Sequence, residues 1–266
     1  MSVNYAVDKL KKLHRAPLYH PALPVVLLWS PKAGCTVLTK WFFFQIGLLD
    51  KALRYHTSIH IYKGLYLHKR NYLHAYASGN PGKRTIKLVR DPYKRAVSSY
   101  FTIANYCYNK GLPNNPMNKD KERIMAKFFP HSPYEGISFK QFLYYLSDLG
   151  ADYTMVDGHI SKQYCQEEEY LSPRIMKLEN FNKEIRRLEE KYNLKRSPQE
   201  ILSAPHSYAS YSVAIDFNSD SIMTPVQFRN GPMPQYESFF DKETIQLCNH
   251  VFKDDFTKYN YLRRKP

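Results

Sequence analysis

Val25-Val26-Leu27-Leu28-Trp29 is a short, nearly continuous apolar run with β-branched members, the pattern of a strand buried on both faces of a parallel sheet. It ends at Ser30-Pro31-Lys32-Ala33-Gly34-Cys35-Thr36. Beyond that loop, Val37, Leu38, Trp41, Phe42, Gln45, Ile46 and Leu49 recur at helical spacing and predict a helix with a broad apolar face. A second unit of the same kind follows. Thr85 to Arg90 reads as a strand, Asp91 as an N-cap and Pro92 as the first residue of a helix, where its missing N–H costs nothing. Between the two units, Leu53 to Ser78 holds His56, His60, His68 and His74 among Tyr and Leu positions, and Ser78-Gly79-Asn80-Pro81-Gly82 is a turn. Two strand-to-helix units joined by a crossover imply a parallel α/β sheet.

Downstream, prolines and asparagines from Pro113 to Pro133 interrupt any period, so 105–136 reads as a loop-rich insertion. Helical spacing returns from Ser138 to Leu149, Arg174 to Glu179 reads as a short strand, and Phe181 to Tyr192 as a charged amphipathic helix. Ser203 to Pro234 is irregular, and Lys242 to Phe256 predicts a closing helix. With no repeat and no dividing linker, the 266 residues read as a single domain with its core at about 24–262.

The charge narrows the partner. There are 39 Lys and Arg against 24 Asp and Glu, an excess of +15, which suits an anion without selecting nucleic acid, anionic lipid, nucleotide or acidic polysaccharide. Lys110, Lys119, Lys121, Arg123 and Lys127 crowd the insertion and suit a mobile lid on the side of an acidic acceptor. No apolar run approaches the roughly 18 residues of a membrane span, and Asp8, Lys9, Lys11, Lys12 and His14 interrupt the start, so neither signal peptide nor anchor is expected. Cys35, Cys107, Cys165 and Cys248 fit neither a metal knuckle nor a disulfide framework, and no N-x-[ST] site occurs. Cytoplasm is the expected compartment, the lumenal part of a secretory-pathway enzyme the alternative.

The loop Lys32 to Thr36 leaves a strand and enters a helix. Such a turn offers unpaired N–H groups and the positive end of the helix dipole to a phosphate or sulfate. Gly34 admits close approach, Thr36 adds a hydroxyl and Lys32 a charge, although the order is not that of GxxxxGK[ST]. Arg90, at the second strand end, is a planar charged fork, and Ser98 a donor two turns into the next helix.

PKAGCT after one strand and RDPYKRAVSSYF after the next resemble the 5′-phosphosulfate loop and the 3′-phosphate motif of sulfotransferases that use 3′-phosphoadenosine 5′-phosphosulfate (PAPS). Cys35 and the RDPYxRxxSxY form look most like the carbohydrate sulfotransferase branch, family 2-like. His159-Ile160-Ser161-Lys162-Gln163, the segment Ile175 to Phe181, and Val251 to Tyr261 are similar to later blocks of that branch. The resemblance runs from about Pro24 to Tyr261. It implies an α/β, P-loop-like nucleotide-binding fold with a central parallel sheet flanked by helices. It also implies PAPS as co-substrate, no metal, and transfer to a hydroxyl of a carbohydrate, acidic polysaccharides included. Lys32, Ala33, Gly34, Cys35 and Thr36 would hold the phosphosulfate, and Arg90 and Ser98 the 3′-phosphate. Phe228-Arg229-Asn230-Gly231 faintly resembles a third phosphate segment, through Arg229. Lys32 would neutralise the leaving oxygen, and His159 or His68 would accept the acceptor's proton. Two readings stay open beside it: a nucleotide-dependent phosphotransferase and a basic polyanion-binding protein without catalysis. Neither nucleic acid nor stable membrane insertion is expected.

Overall fold

The computed structural model describes residues 3–68, 82–105, 115–129, 136–203, 212–213, 217–224 and 233–266. In chain order the elements are α1 (Val3–Lys12), β1 (Val25–Leu28), α2 (Cys35–Gln45), α3 (Leu49–Tyr55), α4 (Ile59–Leu67), β2 (Arg84–Val89), α5 (Pro92–Ala104), α6 (Pro116–Phe128) and α7 (Phe139–Leu149). There follow β3 (Arg174–Lys177), α8 (Phe181–Lys191), α9 (Gln199–Leu202), β4 (Ser212–Val213), β5 (Met233–Pro234), α10 (Lys242–Val251) and α11 (Lys253–Lys258). Contacts divide them into two compact units, 1–90 with 163–205, and 91–162 with 206–266.

The first unit carries a three-stranded parallel sheet in the order β1-β2-β3, with Leu27 opposite Ile86 and Leu88 opposite Met176. Every residue of β1 is buried, as its unbroken apolar run requires. Helices flank the sheet: α2 packs on α3, α4 and α9, and α8 on β3. The sequence pattern does not mark α1, which buries Ala6, Val7 and Leu10, three positions on one helical face.

In the second unit α7 packs on α10, α5 and α6 around an aromatic core that includes Tyr100, Phe139, Phe142 and Phe239. Local caps set the helix starts. The Asp91 side chain accepts from the Lys94 N–H at 2.9 Å, and Pro92 opens α5. Ser138 with Gln141, and Asp241 with Thr244, form reciprocal caps on α7 and α10.

Four boundaries differ from the pattern. The first helix begins at Cys35 and ends at Gln45, so Leu49 belongs to α3, after Gly47 in the left-handed region. β3 ends at Lys177, followed by a 3-10 turn. The closing helix is two, α10 and α11, broken at Phe252. Most of the described insertion is not loop: Asn115 accepts from the Met117 N–H and Pro116 takes the first helical position, so the Pro-Asn cluster starts α6 rather than preventing it. Within α6, Lys121 is buried, and Arg123 donates to Met155 O at 3.0 Å, which does not suit the mobile lid. Lys110, the turn at 78–81 and most of 203–234 lie outside the described residues.

Candidate active site

Two backbone positions shape the loop after β1. Lys32 has φ 65° and Gly34 φ 83°. The first is a left-handed conformation that a side chain rarely adopts, a strain that clusters at functional sites. The second needs glycine for space as well as angle, because a Cβ there would lie 2.5 Å from Leu178 Cδ1 and 3.2 Å from Leu88 Cδ2. Gly34 is the N-cap of α2 and offers no side-chain oxygen to its first-turn N–H groups. Ala33 is buried, its N–H bonded to Ser30 O. The Thr36 hydroxyl lies 3.0 Å from His60 Nε2, and Cys35 Sγ 3.8 Å from the same nitrogen.

Arg90 joins this loop from the end of β2, its Nη1 donating to Lys32 O at 3.2 Å. Its backbone is held by a side chain from far along the sequence. Gln163 Oε1 accepts from the Arg90 N–H and Gln163 Nε2 donates to Arg90 O, both at 2.8 Å. The main-chain oxygen of Gln163 in turn accepts from Arg15 Nη1 and from Ser30 Oγ. With them goes a buried ion pair, Lys87 Nζ to Glu168 Oε1 at 2.6 Å, with Ser30 Oγ accepting a second hydrogen bond from Lys87 Nζ at 2.7 Å. Burial lowers the pKa of Lys87, and Glu168 opposes that shift. The ends of β1 and β2 are therefore tied by one polar network.

His68 closes α4. Its Nδ1 is 2.7 Å from Gly64 O, and a carbonyl can only accept, so Nδ1 carries the proton and Nε2 keeps its lone pair when the ring is neutral. His68 lines a cavity of about 180 Å³ with Lys11, His14, Trp29, His60 and Lys63. The contact from His60 to Thr36 connects that cavity to the loop. Lys63 is buried with its ammonium 3.1 Å from the centre of the Trp29 ring. Burial lowers its pKa to about 8, against an opposing effect of Cys35.

Of the residues singled out by sequence, Lys32, Ala33, Gly34, Cys35, Thr36, Arg90 and His68 share the first unit. Ser98 and His159 belong to the second. Ser98 is a buried residue of α5. His159 is exposed, with Nδ1 2.7 Å from Asp157 Oδ1; burial works to raise the pKa of Asp157, and the hydrogen bonds from His159 outweigh it and hold the carboxyl low. Arg229 lies outside the described residues. His60 and Lys63 were not singled out, although His60, Lys63, Gly64, Leu67 and His68 fall on one face of a helix.

The parallel sheet flanked by helices defines an α/β protein, with a strained, uncapped loop at a strand end. A model of the Sulfotransferase family matches residues 23–262, nearly the whole chain, and the chain belongs to that family. It is a sulfuryl transferase. No characterised protein and no solved structure matches it. Among the described residues no helix is long and apolar enough to cross a membrane, and no cluster of His, Cys, Asp and Glu has the makings of a metal site.

Proposed function

We propose that the chain moves the sulfuryl group of PAPS to a hydroxyl of a carbohydrate acceptor, acidic polysaccharides included. The observation that carries this reading is the loop 31–36, strained at Lys32, bare at Gly34 and tied to Arg90. That loop fits the phosphosulfate end of the donor, because Gly34 supplies the left-handed turn that leads into α2 and the first-turn N–H groups of α2 lack a side-chain cap. When bound, the donor supplies the sulfuryl group and its leaving phosphate.

The chain's own residues position and neutralise. Gly34, Cys35 and Thr36 offer N–H groups and a hydroxyl to the phosphosulfate, and Lys32 sets its charge against the oxygen that gains charge as the sulfur bond breaks. Arg90 and Ser98 hold the 3′-phosphate, with Arg229 as a further contact. His68 accepts the acceptor's proton at Nε2, the atom left with a lone pair by the bond to Gly64 O. His159, oriented by Asp157, has the same tautomer and is the second candidate. The family match runs through both units, which supports their working as one domain. Free Cys35, Cys165 and Cys248 suit a reducing cytoplasm.

Calorimetry with 3′-phosphoadenosine 5′-phosphate, paired with a labelled-sulfate transfer assay on a panel of glycans, tests the reading. One-to-one nucleotide binding and labelled glycan are expected. Absence of nucleotide binding with retained polyanion affinity would replace it with a non-catalytic polyanion binder.

A further inference from the structure

The cavity beside the loop has an unusual lining. Lys11 and His14 enter from the end of α1 and the residues after it, Trp29 from the end of β1, and His60, Lys63 and His68 from α4. Those five ionisable groups are all bases, and among the described residues no acid lines the cavity. At about 180 Å³ it has room for a small oxyanion together with water, since each water takes about 30 Å³ in the liquid.

Lys63 is the group that asks for a ligand. It is 5% exposed, and among the described residues no carboxylate pairs with it. A buried ammonium compensated by an aromatic face and the effect of Cys35, with no carboxylate among the described residues, is costly to keep charged. An oxyanion in the cavity would provide the missing opposite charge, and the contact from His60 to Thr36 places such a group next to the loop.

We infer that this cavity is a binding subsite for a carboxylate or sulfate group, built on Lys63 and widened by Lys11, His14, His60 and His68. Taken with the proposed function, on which this part rests, the group is one carried by the acceptor, beside the hydroxyl that is sulfated. The alternative source of the same chemistry is a free inorganic oxyanion.

The pH dependence has a defined sign. With its pKa lowered to about 8, Lys63 is half deprotonated near pH 8, and a bound anion favours the charged form. Anion affinity therefore falls as pH rises through about 8. Lys11 and His14 from the α1 side, His60 and His68 on α4, and Cys35 on α2 also face or influence this space, so the diagnostic quantity is the difference between wild type and Lys63→Met.

The test has two arms. Inorganic sulfate is titrated into wild type, Lys63→Met and Lys11→Gln between pH 6.5 and 9.5, with melting curves to confirm folding. The expected result is saturable binding weakened about tenfold or more by Lys63→Met, with the decline above pH 8 abolished, and a smaller loss in Lys11→Gln. In the second arm, acceptor KM is compared for a uronic-acid disaccharide and its neutral counterpart. A rise confined to the acidic acceptor in Lys63→Met assigns the anion to the acceptor; an unchanged ratio, with sulfate binding that is saturable in wild type and weakened in Lys63→Met, assigns it to free oxyanion. Sulfate binding indifferent to both substitutions, or absent, overturns the subsite. If Lys63→Met does not fold, Lys11→Gln alone decides in the same way. The binding arm requires no turnover, so it stands or falls separately from sulfuryl transfer.

Discussion

Gly34 is held by two independent constraints, its left-handed φ of 83° and the approach of Leu178. Leu178 Cδ1 is the far end of a side chain and can turn away, so the angle governs the cost. Gly34→Ala is expected to destabilise by about 1–2 kcal/mol, read from urea unfolding, and adding Leu178→Ala should not restore the loss. At Lys32 the effect should be on chemistry. Lys32→Ala should lower turnover by about two to three decades with binding of the desulfated nucleotide retained, whereas Arg90→Ala should weaken nucleotide binding by about 2 kcal/mol. Turnover unchanged in a folded Lys32→Ala would remove it from the mechanism. Lys32, Gly34 and Thr36 were legible because a loop between a buried strand and a helix exposes its own chemistry in a few adjacent letters. His60 and Lys63 were not. Their meaning depends on Trp29 and Thr36, which come close only after α4 folds back on α2.

At the scale of elements, the strands were readable and the polar ties between them were not. β1 declares itself by an unbroken apolar run, β2 by Ile86, Leu88 and Val89 around Lys87, and α5 by Asp91-Pro92. The polar residues of α6 were read as loop because their cap lies inside the same cluster that signals a turn. Lys87 is harder still: within an apolar strand it reads as an interruption, yet it is buried against Glu168 from beyond the sheet's first two strands. Lys87→Met should cost about 3–5 kcal/mol by taking the ammonium away from the buried Glu168 carboxylate. The double variant Lys87→Met/Glu168→Leu should recover much of that, as denaturant midpoints would show. A double variant no better than the single would mean that the pair is held by more than its charge.

For the whole molecule, the net charge of +15 was the first thing legible, and its distribution the last. Part of it is buried where it affects stability. The folded pKa of Lys63 is about 8 against 10.5 for an exposed lysine, so between those values the unfolded chain binds more protons. Stability should therefore rise with pH from about 8 towards 10, and that rise should flatten in Lys63→Met. Melting temperatures across this window check it, the difference between the two proteins removing the contributions of Lys83 and Lys87, whose pKa values are also lowered by burial. The Gln163 tie bears on motion as well. The amide of Arg90 is bonded not by a neighbouring strand but by a side chain 73 positions away. Its deuterium uptake reports the opening of that single tie and not of the sheet. In Gln163→Leu the Arg90 amide should exchange rapidly while those of Leu88 and Val89 keep their protection, which makes one proton a gauge of how firmly Arg90 is held.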